Sequence, residues 1–233
     1  MKIVNISKSY DEKHIFRNFS YEFPNGKITA IMGGSGVGKT TLLKIIAGLT
    51  NYTGEIQKEG EISYVFGETS LIPSLTVRQN LNFAVSHVIP CKEEREKLIK
   101  DILAEVELID EIDNYPHQLS TGMAQRVSIA RGFLYPSSTI IMDEPFRGLD
   151  TALKTKLEKL LLKLLSKDKK TVIFITHDVT EAVLIADKVI VFDGRPIEVK
   201  GEIEIILPQE ERTLSNEIVS KSGEQLLTFL QNH

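Results

Sequence analysis

Residues 33–40 read Gly33-Gly34-Ser35-Gly36-Val37-Gly38-Lys39-Thr40, between the apolar run Lys27-Ile28-Thr29-Ala30-Ile31-Met32 and a helical pattern over residues 40–47 that ends at Gly48. The apolar run predicts a buried strand, so the glycine-rich segment joins a strand to a helix N-terminus. Unpaired N–H groups and the positive end of the helix dipole meet there, and both favour an anion. Glycines let the backbone curl so that successive amides face phosphate oxygens. Lys39 would then reach the β- and γ-phosphates, and the Thr40 hydroxyl would ligate Mg²⁺. The candidate nucleotide-binding residues are therefore Gly33, Gly34, Ser35, Gly36, Val37, Gly38, Lys39, Thr40 and Thr41. A glycine-rich turn without a ligand is the alternative. The flanking strand and helix favour a nucleoside triphosphate.

Working outward, residues 2–7 and 14–23 alternate as strands, residues 54–57 and 61–66 form two further short ones, and Pro24-Asn25-Gly26 is a turn. From Thr76 the period changes to helical: residues 76–85, residues 92–108 with Leu98, Ile99, Ile102, Leu103 and Val106 on one face, and residues 122–134. Strand–helix alternation then resumes, with strands at 138–142, 171–176 and 188–192 and helices at 152–165 and 178–186. Such alternation predicts an α/β fold with a mostly parallel sheet, helices on both faces, an N-terminal antiparallel β region and an inserted helical subdomain. The expected division is a discontinuous core (1–72 and 137–200), a helical segment (73–136) and a C-terminal tail (201–233) with one amphipathic stretch, 214–230.

The run Thr139-Ile140-Ile141-Met142 ends in Asp143 and Glu144. In a parallel sheet the C-terminal strand ends face the ligand crevice, which would bring both acids to the phosphates. Asp143 suits a hydrated Mg²⁺, and Glu144 suits the activation of an attacking water. Two acids capping the next helix are the plain alternative. His177 follows another apolar strand at the matching end, where it could bond the γ-phosphate or the water. Tyr10 could stack on an adenine face or could be a half-buried strand-end tyrosine.

With 233 residues and a formal charge of −4, the chain has no basic balance that would suit a nucleic-acid partner. A single cysteine, Cys91, cannot form an internal disulfide and fits a reducing compartment. No apolar run approaches 18 residues, so a cytoplasmic chain is expected, with any membrane link made through another chain.

Leu119-Ser120-Thr121-Gly122-Met123-Ala124-Gln125-Arg126, ahead of the two acids, resembles the signature segment of ABC ATPases, the ATP-binding subunits of ABC transporters. Pro145-Phe146-Arg147-Gly148-Leu149-Asp150 resembles that family's D-loop, and Ile175-Thr176-His177-Asp178 its switch histidine. The resemblance covers residues 2–195, and within the family it is most similar to the nitrate/sulfonate/taurine importer group. It implies an ATPase with ATP and Mg²⁺ as cofactors. It further implies a homodimer with two shared ATP sites, each closed by Ser120 and Gly122 of the second copy, with Asp150 as a cross-subunit contact and Tyr10 as the adenine platform. Membrane-spanning permease subunits, an extracellular solute-binding protein and a position on the inner face of the cell membrane follow in the same way. Other readings are a nucleotide-gated dimerisation module with little turnover, a soluble ABC ATPase outside transport, and a small-molecule phosphotransferase.

Three positions depart from the family pattern. Gly67 stands where glutamine is usual after Tyr64-Val65-Phe66, Thr121 replaces the first signature glycine, and Arg147 is unusual in its segment. Glycine offers no side chain to a metal, so water or Glu68 must compensate, or the helical segment is coupled more loosely to the nucleotide.

Overall fold

The computed structural model describes residues 1–231; the final two residues of the expected tail lie outside them. β1 (Lys2–Tyr10) and β2 (Lys13–Glu22) pair antiparallel across a tight turn whose Asp11 has φ +52. Aspartate tolerates that left-handed position because its short polar side chain can bond locally. β3 (Ile28–Gly33) runs into the glycine-rich loop and then α1 (Lys39–Ile46). β4 (Thr53–Gln57) returns to β1, giving a three-stranded antiparallel sheet in the order β2-β1-β4.

β5 (Ile62–Val65) leads into α2 (Val77–Val85), α3 (Lys92–Glu105) and α4 (Thr121–Leu134). Thr76 caps α2 through a reciprocal pair with Gln79, and the Ser120 hydroxyl accepts from Met123 N at the start of α4. These caps stop the chain from continuing each helix backward. β6 (Thr139–Asp143), α5 (Thr151–Lys167), β7 (Thr171–Ile175), α6 (Val179–Ile185) and β8 (Lys188–Asp193) supply the expected alternation.

The main sheet runs β5-β6-β7-β3-β8 in parallel, and an antiparallel edge strand, β9 (Glu198–Glu204), completes it. That strand was not expected, so the main sheet continues through residue 204. α7 (Glu217–Gln231) follows and packs on β8, β9 and α6.

Parallel strands covered on both faces become nearly continuous apolar runs. β3 is buried throughout: Ile28, Ala30 and Met32 face one core and Ile31 the other. In β6, Ile140 and Met142 divide from Ile141 in the same way. The first core lies under α2 to α7. The second joins the main sheet to α1 and the antiparallel sheet through Phe16, Phe23, Leu42 and Leu43. The C-terminal ends of β3, β6 and β7 are thereby held at one edge of a rigid layer.

One buried acid is poorly compensated. Glu158 of α5 is 8% exposed and its Oε1 has no hydrogen-bond partner. Burial pushes its carboxyl up from 4.5 to about 7, opposed by Lys154 and reinforced by Glu181 and Asp178. A folded pKa above the unfolded one means stability is fullest below the unfolded value and falls as pH rises through about 7. Glu158→Gln should therefore stabilise the protein by about 1–3 kcal/mol more at pH 8 than at pH 5, read by urea unfolding. Equal effects at both pH values would contradict this.

Candidate functional site

The loop after β3 is built so that backbone comes unusually close to backbone. Gly33 has φ +140, and a Cβ there would lie 2.3 Å from the Phe192 carbonyl oxygen. Gly38 has φ +123, and a Cβ there would strike Ile15 and Ile197 at 2.5 and 2.8 Å. Both positions require glycine on conformation and on space. Gly34, Ser35 and Gly36 form the exposed crown, while Val37 is buried beneath it and Thr41 is half-buried. Gly38 is also the N-cap of α1 and offers no side chain, so no residue of the loop caps the helix's first amides. They are directed at the space a phosphate would fill.

Lys39 is 5% exposed and donates from Nζ to the carbonyls of Gly33 and Gly34, both at 2.8 Å. Burial lowers its pKa, and the charges of Glu144 and Asp143 oppose that shift. The ammonium is thus held over its own loop, in front of both acids.

Asp143 closes β6 on the other side. The Thr40 hydroxyl donates to its Oδ1 at 3.2 Å, and the Tyr64 hydroxyl lies 3.4 Å from its Oδ2. Burial raises the Asp143 carboxyl, the Thr40 bond opposes this, and the charge of Glu144 adds to it. Burial, then the Asp143 charge, push the Tyr64 phenol up, so it remains a donor. Thr40 and Asp143 together are a hydroxyl–carboxylate pair of hard oxygens, the donor set that suits Mg²⁺.

Glu144 takes a left-handed backbone, φ +51, as the chain leaves the strand. Such a conformation is uncommon outside glycine and occurs where surroundings enforce it. His177 Nε2 meets its Oε1 at 3.1 Å, and Arg147 meets its Oε2 at 3.3 Å. The ends of β3, β6 and β7 thus bring Lys39, Thr40, Asp143, Glu144 and His177 to one place.

No hydrogen bond or ion pair among the described residues joins Tyr10, Ser120, Gly122 or Asp150 to that group, although Gln125 of α4 donates to the Pro145 carbonyl beside Glu144. Tyr10 is 46% exposed at the end of β1, with Lys8 Nζ 4.6 Å from its ring centroid. Ser120 is exposed at the head of α4, which packs on α2, α3, α5 and β5, whereas α1 packs on β3 and β6. Gly122 is buried, and a Cβ there would lie 2.3 Å from Leu153 Cδ2. Asp150 caps α5, accepting from Ala152 N and Leu153 N at 3.0 Å each.

Two contributors escaped the sequence reading. Tyr64 is 79 residues from Asp143, and the guanidinium of Arg195, 159 residues from the loop, donates to the Gly36 carbonyl. Only the parallel pairing of β5 on β6 could have exposed the first.

A phosphate cradle on a parallel sheet, faced by a lysine and by two carboxylates at the next strand end but one, defines a nucleoside-triphosphate hydrolase core. Comparison with known proteins narrows it further. Residues 16–147 match the ABC transporter family. The chain is 35% identical to the aliphatic sulfonates import ATP-binding protein SsuB 1 of Pseudomonas syringae pv. syringae (strain B728a), covering 96% of this chain and 93% of that one. It is 33% identical to the corresponding protein of Xanthomonas axonopodis pv. citri (strain 306), over 94% and 90% of the two chains. Among solved structures, a dimeric ATP-binding cassette in a post-hydrolysis state with ADP and Pi superposes with a TM-score of 0.77 at 30% identity, covering 87% and 97%. The cbiO1 chain from Clostridium perfringens, part of the transporter complex cbiONQ, gives 0.78 at 25% identity over 97% and 95%. The chain belongs to the ABC transporter family, as an ATP-binding chain that hydrolyses ATP.

Proposed function

We propose that this chain is the ATP-hydrolysing subunit of an importer, working as a homodimer that drives solute uptake through separate membrane-spanning permease subunits fed by an extracellular solute-binding protein. Among the described residues no helix is long and apolar enough to cross a membrane, which suits a peripheral subunit on the inner face. The carrying observation is that, among the described residues, no hydrogen bond or ion pair links the head of α4 to the group at the strand ends. Lys39, Asp143 and Glu144 stand at one sheet edge, while the exposed, capped head of α4 packs with the helices of segment 73–136. A second copy placed head to tail brings its Ser120 helix to the first copy's phosphates, and two-fold symmetry makes two such sites. The similar post-hydrolysis cassette is itself dimeric.

In each site the loop amides and Lys39 bind the phosphates, Tyr10 carries the adenine face, and Thr40 with Asp143 would hold Mg²⁺, which neutralises phosphate charge when bound. Glu144 takes a proton from the attacking water, and His177 holds its carboxylate from the Oε1 side. Asp150 contributes at the interface from the segment leading into α5, and the helical segment 73–136 passes the closing motion to the permease.

A disulfide trap tests the arrangement. In a Cys91→Ser background, Ser35→Cys combined with Ser120→Cys should crosslink two copies, and at least ten-fold more with ATP than without. No crosslink between copies, with or without ATP, would remove the shared site. The import role is tested separately by capture of the chain from native membranes, which should bring a polytopic membrane subunit with it.

A further inference from the structure

Gly67 stands where the family resemblance places a glutamine, and the structure shows what occupies that side of the site instead. β5 pairs in parallel with β6, with Tyr64 beside Ile141 and Val65 beside Met142, so the chain beyond β5 runs along the two acids. A Cβ on Gly67 would lie 2.4 Å from the Asp143 carbonyl oxygen and 3.4 Å from that of Glu144. No larger residue can hold this backbone position without lifting the segment away. The same close approach delivers Tyr64: its hydroxyl lies 3.4 Å from Asp143 Oδ2, on the opposite side of the carboxylate from the Thr40 hydroxyl at Oδ1. The ring is steadied by Phe66, stacked at 4.2 Å between centroids and 21° between planes. Glu68 lines the same cleft, about 610 Å³ in volume, yet makes no hydrogen bond or ion pair among the described residues.

We infer that Tyr64 is the positioning residue for the Asp143 carboxylate in this chain, and that glycine at 67 is what lets it reach. A carboxylate fixed at one oxygen by a neutral donor presents the other in a constant direction, and outer partners of this kind commonly set metal affinity. The tyrosine thus stabilises the orientation of Asp143 from the protein side, where a glutamine side chain has no room. The inference rests on reading Thr40 and Asp143 as the divalent-cation pair.

The test is Mn²⁺ affinity, measured by electron paramagnetic resonance on the full chain with a non-hydrolysable ATP analogue, so that no turnover is needed. Tyr64→Phe should weaken Mn²⁺ binding about ten-fold, while leaving metal-free nucleotide binding and melting temperature unchanged. Gly67→Ala should weaken it similarly despite retaining the phenol, because the segment is pushed off Asp143. A Tyr64→Phe affinity within two-fold of the parent would overturn the inference, whatever Gly67→Ala does to folding. Asp143→Ala separates the two levels. If it loses Mn²⁺ and Tyr64→Phe does not, only the role of Tyr64 fails; if it retains Mn²⁺, the underlying metal assignment fails and takes this inference with it.

Discussion

Glutamine in place of Glu144 is expected to lower steady-state ATP turnover by about 10²- to 10⁴-fold while leaving ATP affinity within about two-fold. The change removes the basic oxygen and keeps the shape. Glu144 is the one acid at this edge whose two oxygens face His177 at 3.1 Å and Arg147 at 3.3 Å and not the Thr40 hydroxyl, which belongs to Asp143. Its left-handed backbone turns it out of the strand direction that Asp143 follows. The two carboxylates therefore stand in different surroundings, one beside Thr40 and one beside His177, which in the proposed function is where a water would lose its proton. Because the amide retains a hydrogen-bonding side chain and carries no charge, the variant should accumulate as an ATP-bound dimer on size-exclusion chromatography. Phosphate release within three-fold of the parent chain would take Glu144 out of the proton-transfer step.

That the glycine-rich loop, the acids at the end of β6 and the histidine beyond β7 come together could be read from the sequence because each lies at the end of a short, buried, mostly apolar strand in a parallel sheet. In such a sheet, strand direction alone decides which ends share a crevice. The helix beginning at Thr76 was legible for a similar local reason: the partner that caps it, Gln79, lies three residues on. β9 was not legible. Its sequence, Glu-Val-Lys-Gly-Glu-Ile-Glu, contributes little apolar surface beyond the buried Ile203, because an edge strand faces water along one side. Tyr64 and Arg195 were missed because their partners lie 79 and 159 residues away, and nothing in their local pattern distinguishes them from packing or surface residues. Asp150 shows the converse: the resemblance assigns it to a neighbouring copy, and within one chain its carboxylate already caps α5. Gly67 reads in sequence as the loss of a side chain, and in the fold as contact between two backbones.

Alanine at Lys39 is expected to weaken ATP binding by about 10²- to 10³-fold, the loss of roughly two charge-assisted hydrogen bonds to phosphate. Both carbonyls that the ammonium engages, Gly33 and Gly34, belong to the loop that would wrap the phosphates, so the side chain is held at that loop. Its burial is unfavourable for a cation and is offset by Asp143 and Glu144 close by. A triphosphate can take over the carbonyls' place and, being anionic, compensates the desolvation more fully. Arginine should not rescue the variant, because a planar guanidinium is larger than the compact ammonium and cannot fit where Lys39 is 5% exposed. Thermal denaturation reads the effect directly, since a ligand raises stability by RT ln(1 + [L]/Kd). At an ATP concentration about 100-fold above the parent Kd, the parent should gain about 2.7 kcal/mol and Lys39→Ala less than about 0.5 kcal/mol. An undiminished ATP-induced rise in Tm for Lys39→Ala would mean that the triphosphate does not sit in this loop.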